Sequence, residues 1–593
     1  MATETILHRL ENNAKKRPNA PAYYERINGA WVPTSWKEYN NQVRQAAKSL
    51  LAMGAKKGDI VTILGFNRPE WVIMDLAIMM IGGAAAGIYT TNSPHECKYI
   101  VEHSEAPVLL VENKMQWDKI NEVRQDIPSL KHIVTMKGEN IDDDMTSSWE
   151  AFMEKGKDVP DSQIDEAMAN LQPDQLATLI YTSGTTGPPK GVMLTHENLA
   201  ATSKNSGEVL ELGPEDRLLS YLPLSHIAEQ MFSIHSAITF SYQLYYAQYH
   251  PQDHLNSNLK EIQPTILFGV PRIWERFHAA VSGNMSQATG IRASIANWAL
   301  GVGKQVSDLK NMGKEASGAL AFQHKLADRL VFSKVKEALG FSEAKYGITG
   351  AAPVSKEILD LFAALDITIL EVYGQSEGSG PTTFNRPGAT KFGTVGQAFP
   401  GSEVKLLDDG EIVMKGPNVF KGYYKNDAAT ASDLKEGWLQ SGDLGAFDKD
   451  GFLTIIGRKK EIIITSGGKN IAPKNIEAAL KNIPLVSQAV VIGEQRRYLT
   501  ALVTLEPEAA AAFASANGIS GELHTNQKMI DAIQKGIDEH VNPLFARVEQ
   551  VRKFNILPRD FTVEDGELTA TMKIKRRVVN DHFADAIEAL YAE

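Results

Sequence analysis

Between Asp59 and Tyr373 the chain switches repeatedly from short β-branched runs to longer stretches with helical spacing. Ile60 to Leu64, Val108 to Val111, Leu176 to Tyr181, Thr265 to Phe268 and Ile367 to Val372 are runs of the first kind. Strands that alternate with helices are joined by crossovers, which builds parallel sheets covered on both faces. The expected fold class is therefore α/β, with ligands in loops beyond the carboxyl ends of strands. The apolar stretch from Val72 to Tyr89 is as long as a marginal membrane span. Asp75 and the small residues from Gly82 to Gly87 interrupt it, so it reads as a buried helix followed by a buried strand.

Length and charge divide the chain further. At ~150 residues per domain, 593 residues suggest three or four folding units. The stretch 283–340 lacks strand patterning and reads as a helical insertion lying on the body. From Arg458 onward there are 18 basic and 18 acidic residues, so the net charge of −11 belongs entirely to residues 1–457. A body over 1–457 and a neutral α+β domain over 458–593 are expected. Strands Gln488 to Ile492 and Leu499 to Leu505 and a helix from Asn526 to Val541 are the elements anticipated in the second. The acidic excess argues against a general nucleic-acid binder. The single cysteine, Cys97, admits no internal disulfide or cysteine-rich metal site and suits a reducing, cytoplasmic setting. Residues 1–16 mix charges with scattered apolar residues and do not read as a signal peptide. Peripheral contact with the inner face of a membrane, and a monomeric or homodimeric state, both stay open.

The strongest chemical signal is Tyr181-Thr-Ser-Gly-Thr-Thr-Gly-Pro-Pro-Lys190-Gly191, which follows an apolar strand. Hydroxyls at Thr182, Ser183, Thr185 and Thr186, with the backbone freedom of Gly184 and Gly187, suit polyphosphate oxygens, and Lys190 adds positive charge. It is not a Walker A loop: Gly191 stands where that motif needs Ser or Thr, and a short strand follows where it needs a helix. Glu377 supplies a hard anionic oxygen of the kind magnesium prefers. Asp443 can accept the two hydroxyl hydrogens of a ribose, although a Gly-Asp turn would also explain it.

The loop resembles the phosphate loop of the adenylate-forming superfamily, which includes acyl-CoA synthetases, luciferases and the adenylation domains of peptide synthetases. Further segments match in that family's order: Tyr373-Gly-Gln-Ser-Glu377, Gly437-Trp-Leu-Gln-Ser-Gly-Asp443, Gly457-Arg-Lys-Lys-Glu461, Ser466-Gly-Gly-Lys-Asn470 and Thr571-Met-Lys573. The resemblance implies ATP, Mg2+ and CoA as cofactors or co-substrates and a small mobile lid after the body. It implies Thr182 and Glu377 as metal ligands and Ser376 as a phosphate contact. Gly350, Ala351, Glu371, Val372 and Tyr373 would enclose adenine, and Asp443 with Arg458 would hold the ribose. Lys573 becomes the lysine that bridges substrate carboxylate and α-phosphate, and Lys460 the hinge. The loop containing Gly467 would face the site in a second pose and help form the pantetheine tunnel.

Tyr221-Leu-Pro-Leu-Ser-His-Ile-Ala-Glu-Gln230, Phe268-Gly-Val-Pro-Arg-Ile-Trp-Glu275 and Gly347-Ile-Thr-Gly-Ala-Ala-Pro353 are similar to the long-chain fatty acyl-CoA synthetases, especially the bubblegum-type branch. That implies a long-chain or very-long-chain fatty acid as substrate, with His226 orienting its carboxylate or controlling the tunnel mouth. Gln230 stands where some bacterial relatives place a gating tryptophan. A fatty acyl-AMP ligase that loads a carrier protein shares every ATP residue and is the alternative; a silent fatty-acid-binding scaffold is a third reading.

Overall fold

The computed structural model describes residues 4–182, 188–248, 251–569 and 571–592. Two large sheets make up the body. The first, of nine strands, runs in the order Gln397–Ala398, Gly380–Phe384, Ile369–Gln375, Tyr346–Thr349, Ile266–Gly269, Arg217–Ser220, Gln243–Tyr246, Pro21–Ile27 and Ala30–Ser35. The second, of eight, runs Gly422–Tyr423, Lys190–Thr195, Leu176–Thr182, Ala84–Ile88, Ile60–Leu64, Val108–Val111, His132–Thr135 and Thr146–Ser147. Their centres are parallel, as the alternating pattern requires; antiparallel strands finish both edges of the first sheet and one edge of the second, whose other edge, Thr146–Ser147, is parallel.

Alternation along each strand feeds two cores. Val61 and Ile63 face the main core while Ile60 and Leu64 face a second one. In the other sheet Ile266 and Phe268 face the main core and Leu267 faces a third. The main core therefore lies between the sheets, and helix Pro69–Met80 runs through it with all twelve residues buried. A helix apolar on every side belongs in such a layer, where each fully buried Leu, Ile or Met contributes about 1.5–3 kcal/mol. Strand Ala84–Ile88 follows it, as the sequence suggested. Asp75 sits on this helix with neither carboxylate oxygen hydrogen-bonded. Burial pushes its carboxyl up to about 8.

Residues 283–340 are helical apart from short connections. The helix Gly290–Asn311 packs on Lys356–Ala364 at the outer face of the nine-stranded sheet. A five-stranded sheet (Glu403–Leu406, Glu411–Lys415, Trp438–Phe447, Leu434–Lys435, Leu453–Arg458) closes the body. Beyond it, residues 463–590 form two cores of their own around the three strands Val486–Ile492, Leu499–Leu505 and Val551–Ile556. Helix Gln527–Gly536 continues as a π-helical turn Ile537–Val541. No described helix is long and apolar enough to cross a membrane.

Candidate active site

Strands Leu176–Thr182, Ile266–Gly269, Tyr346–Thr349 and Ile369–Gln375 deliver their carboxyl ends to a cleft beneath the C-terminal domain. The phosphate-loop segment is flanked by two antiparallel strands, Leu176–Thr182 and Lys190–Thr195, and Thr182 pairs with Lys190 in register. That pairing sets the two side by side at the mouth of the loop, with the Thr182 hydroxyl 3.5 Å from the Lys190 carbonyl. Ser183, Gly184, Thr185, Thr186 and Gly187 lie outside the described residues.

Lys190 is held by residues that carried no signal in the sequence. Its ammonium lies 4.3 Å from the centroid of the Tyr423 ring and 3.5 Å from Asp433 Oδ2. The Tyr423 hydroxyl reaches the same Asp433 oxygen at 3.0 Å and Glu377 Oε1 at 2.8 Å. Strand Gly422–Tyr423 is brought there by pairing with Val192 and Met193, and Phe420 N–H donates to the Glu377 carbonyl. Only a tertiary strand pairing reveals this contact, because Tyr423 is 46 residues from Glu377. Burial, and then the two carboxylates that share its hydroxyl proton, drive the Tyr423 pKa far up. Glu377 Oε2 has no partner among the described residues, and no group of three His, Cys, Asp or Glu gathers around it. A lone hard carboxylate oxygen beside a phosphate loop suits Mg2+, which keeps waters and takes its remaining ligands from phosphates.

Across the cleft, Asp443 and Arg458 are cross-strand partners, with Arg458 Nε 3.8 Å from Asp443 Oδ1. The Tyr373 hydroxyl donates to Asp443 Oδ2 at 2.7 Å, fixing the carboxylate with one oxygen turned toward Arg458. Burial and the Asp443 charge keep that phenol protonated. A Cβ on Gly350 would meet Val372 Cγ1 at 2.7 Å, so the bare backbone lets the end of strand Tyr346–Thr349 close against Val372. Ala351 follows with φ of +71°, a turn that an L-residue adopts at some cost. Glu371 faces away from this turn and accepts Gly393 N–H at 3.0 Å; burial pushes its carboxyl up to about 8, so it is neutral at pH 7. Ser376 is buried at the head of the turn that carries Glu377.

His226 caps the short helix Ile227–Gln230, its Nδ1 accepting from Ala228 N–H at 3.2 Å. A backbone N–H can only donate, so the ring proton sits on Nε2. Burial and the nearby Lys573 charge hold the His226 pKa down at about 4. The next residues turn inward. Glu229 is buried among the hydroxyls of Ser220 (2.7 Å) and Ser233 (2.6 Å), with its carboxyl raised to about 7. Gln230 donates to the Leu224 carbonyl from a fully buried position. Phe232 stacks on Phe268 with ring centroids 5.0 Å apart, giving this side of the cleft an apolar wall.

The C-terminal domain supplies the last cation. Lys573 is exposed to solvent in this pose, yet it lies near enough to Asp443, Glu377, Arg458 and Lys474 for their charges to act on it. Desolvation, then Lys474 and Arg458, lower its pKa against the opposing pull of Asp443 and Glu377. Its loop is set by Lys573 N–H donating to Thr569 Oγ1 (3.1 Å) and Thr569 N–H donating back to the Lys573 carbonyl (2.8 Å). The structure thus brings together Lys190, Glu377, Tyr373, Asp443, Arg458, His226 and Lys573. Two residues stand apart: Gly467 lies in an exposed loop, and Lys460 points outward from the turn Lys459–Glu461. The neighbouring Lys459 is bound to body residues Asp409 and Glu411 at 2.5 and 3.0 Å. Arg272 and Glu506 join the two domains by an ion pair of 2.7 Å.

Comparison with known proteins places this arrangement. Residues 10–424 match the model of the AMP-binding enzyme family and residues 460–593 that of the AMP-binding enzyme C-terminal domain. The long-chain-fatty-acid–CoA ligase ACSBG2 of Xenopus laevis is 37% identical over 99% of this chain and 84% of its own length. The ligase FadD15 of Mycobacterium tuberculosis is 36% identical over 97% of this chain and 95% of its own. Among solved structures, an anthranilate CoA ligase in complex with anthranoyl-AMP superimposes with a TM-score of 0.73 at 20% identity, covering 100% of this chain and 99% of that one. ATP-bound MatB from Rhodopseudomonas palustris does so at 0.70 and 22%, covering 99% and 100%. With one family model spanning the body, a second spanning the C-terminal domain and full-length relatives above 30% identity, the chain belongs to the AMP-binding enzyme family, among homologues named as bubblegum-type long-chain-fatty-acid–CoA ligases.

Proposed function

We propose that the chain is an ATP-dependent long-chain fatty acid:CoA ligase that works through an acyl-adenylate. The observation that carries this is the seating of Lys573, from the far end of the sequence, in one cleft with Lys190, Glu377, Asp443 and His226. Asp443 holds the ribose hydroxyls with Tyr373 behind it, and the backbone at Gly350 and Val372 lies against adenine. Lys190 and the phosphate loop take the polyphosphate. Mg2+ would be held by Glu377 with Thr182 nearby and would neutralise the leaving pyrophosphate.

The fatty-acid carboxylate attacks the α-phosphorus in line, pyrophosphate leaves, and acyl-AMP remains. Lys573 meets the negative charge that gathers on the α-phosphate, in a cleft where a preorganised donor is worth far more than in water. Neutral His226 offers its Nε2–H to a carboxylate oxygen and stays uncharged while the acid loses its negative charge. The CoA thiol then attacks the acyl carbon and AMP departs. For that second step residues 458–593 turn as a lid about Lys460, bringing the loop of Gly467 to the cleft in place of Lys573. The free side chain of Lys460 beside the pinned Lys459 supports a pivot there, since a few terminal residues absorb such rotations. The apolar wall of Phe232 and Phe268 suits an alkyl chain, whose burial contributes about 0.8 kcal/mol per methylene.

Palmitate, ATP, Mg2+ and CoA supplied together should yield AMP, pyrophosphate and palmitoyl-CoA. Formation of ADP overturns the reaction class. Acyl transfer to a carrier protein with none to CoA replaces the second half.

A further inference from the structure

A cavity of about 700 Å3 opens among the helices outside the nine-stranded sheet. Its volume lies within the roughly 300–1,000 Å3 range of small-molecule sites. Ile273, Phe277, Val281, Met285, Val335 and Leu339 give it apolar walls. Phe277 and Val281 belong to the core on the Leu267 face of the sheet, whereas Phe232 and Phe268 lie on the opposite face. The cavity is therefore separated from the acyl side of the catalytic cleft by the sheet itself. Lys260, Arg276 and Lys334 also line it, all three exposed and none with an ion-pair partner among the described residues.

One element links this cavity to the surface. The segments Gly318–Ala327, Asp328–Phe332 and Ser333–Leu339 form one continuous helix with a π turn at its centre. Phe322, Leu326 and Leu330 are 71%, 40% and 38% exposed, and continuing in steps of four leads to Lys334 and Ala338, which line the cavity. Four-residue steps drift one way round an α-helix and drift back through a wider π turn, so the bulge offsets part of the drift between Phe322 and Ala338. An apolar row on a monomer's surface marks an interaction site when it is contiguous and charged at its flanks. Here Lys325 and Arg329 flank it, and residues 283–340 carry eight basic against four acidic side chains, a net of +4 in a chain of −11.

We propose that helix 318–339 and the cavity at its end form a docking site for an anionic phospholipid of a bilayer. The apolar row enters the interface, one acyl chain occupies the cavity, and Lys260, Arg276 and Lys334 surround the headgroup phosphate. The occupant is argued from charge: three unpaired cations around an apolar hole match a molecule with an anionic head and an alkyl tail. A protein partner would not need the hole, and a neutral lipid would leave the cations without a function.

The test is flotation of the full chain, without substrates, on phosphatidylcholine vesicles with and without a one-third share of phosphatidylglycerol. Binding is expected only to the anionic vesicles and should weaken as salt rises. Exchanging Lys260, Arg276 and Lys334 together for Gln should reduce it by on the order of a hundredfold, from roughly fivefold per cation near an anionic surface. Phe322→Ser with Leu326→Ser should reduce it at least tenfold, as should Ala280→Trp, which fills the cavity. Each variant should keep wild-type circular dichroism and wild-type turnover of a detergent-dispersed acid. Equal binding to neutral vesicles, no binding at all, or unchanged binding by the Phe322/Leu326 variant overturns the proposal. So does a fall in solution mass for that variant, which assigns the row to a second copy of this chain. Because no substrate is present, failure of the ligase reading would leave the vesicle result untouched.

Discussion

Replacing Asp75 by asparagine should make the protein more stable at pH 8 than the unaltered chain. Asp75 is fully buried on helix Pro69–Met80, both oxygens lack hydrogen bonds, and its carboxyl is pushed up to about 8. In the unfolded chain the same group titrates near 3.9. Below about pH 4 both states hold the proton and Asp75 costs nothing through titration. Between pH 4 and 8 the unfolded state releases it and the folded state does not, so stability falls with rising pH until the folded group also ionises. Four units at about 1.36 kcal/mol each amount to about 5 kcal/mol lost by pH 8. The amide does not titrate, but its second N–H is a buried donor with no partner, at about 1–2 kcal/mol. The balance favours the Asp75→Asn variant by roughly 3–4 kcal/mol at pH 8 and reverses to a slight disadvantage near pH 4. Thermal midpoints of both proteins measured from pH 5 to 8.5 should therefore cross and then separate by several degrees. A difference that stays constant across that range would refute the reasoning, because it would mean Asp75 does not hold a proton in the folded state.

Four further outcomes follow from the site. Lys573→Ala should slow acyl-AMP formation by 10²–10³-fold, the usual cost of one transition-state donor, while CoA transfer from supplied acyl-AMP changes little; pyrophosphate release against thioester formation separates the two. Because the Lys573 pKa lies below that of a free lysine, kcat/KM for adenylation should fall on an alkaline limb beginning under pH 10.5 as the charge is lost, and Lys573→Arg should move that limb upward. Tyr373→Phe removes the donor to Asp443 and should raise the KM for ATP by roughly tenfold or more, equivalent to about 1.5 kcal/mol for a bond to a charged group, with the fold unchanged by circular dichroism. Arg272→Ala breaks the half-exposed tie to Glu506 and should bias the lid away from the observed pose by no more than about 1 kcal/mol, read as a severalfold drop in adenylation alone.

The parts of this molecule that were legible in its sequence are those where local pattern and tertiary role coincide. Strands Ile60–Leu64 and Val108–Val111 are apolar on both faces because helices cover both, and a run of β-branched residues records that directly. Helix Pro69–Met80 was readable for the opposite reason: beyond its first turn it has no polar face, and Asp75, the one charge between Val72 and Tyr89, with the small residues that follow, marked a buried helix and strand rather than a span. The short motifs around Lys190, Glu377, Asp443 and Lys573 were visible because each needs particular residue types side by side. What joins them was not. Tyr423 reaches Glu377 and Asp433 only through the pairing of Gly422–Tyr423 with Val192 and Met193, a non-local register that no spacing in the chain encodes. The structure also separates residues that the motif ran together: Val372 lies against Gly350, while Glu371 beside it turns its carboxyl to Gly393. Glu371 and Val372 are neighbours on one strand and so point to opposite faces, which separates their side chains. The helical insertion shows the same limit from the other direction. Phe322, Leu326 and Leu330 have ordinary core spacing, and only their exposure, on a helix whose later residues line the cavity, distinguishes them from residues already buried.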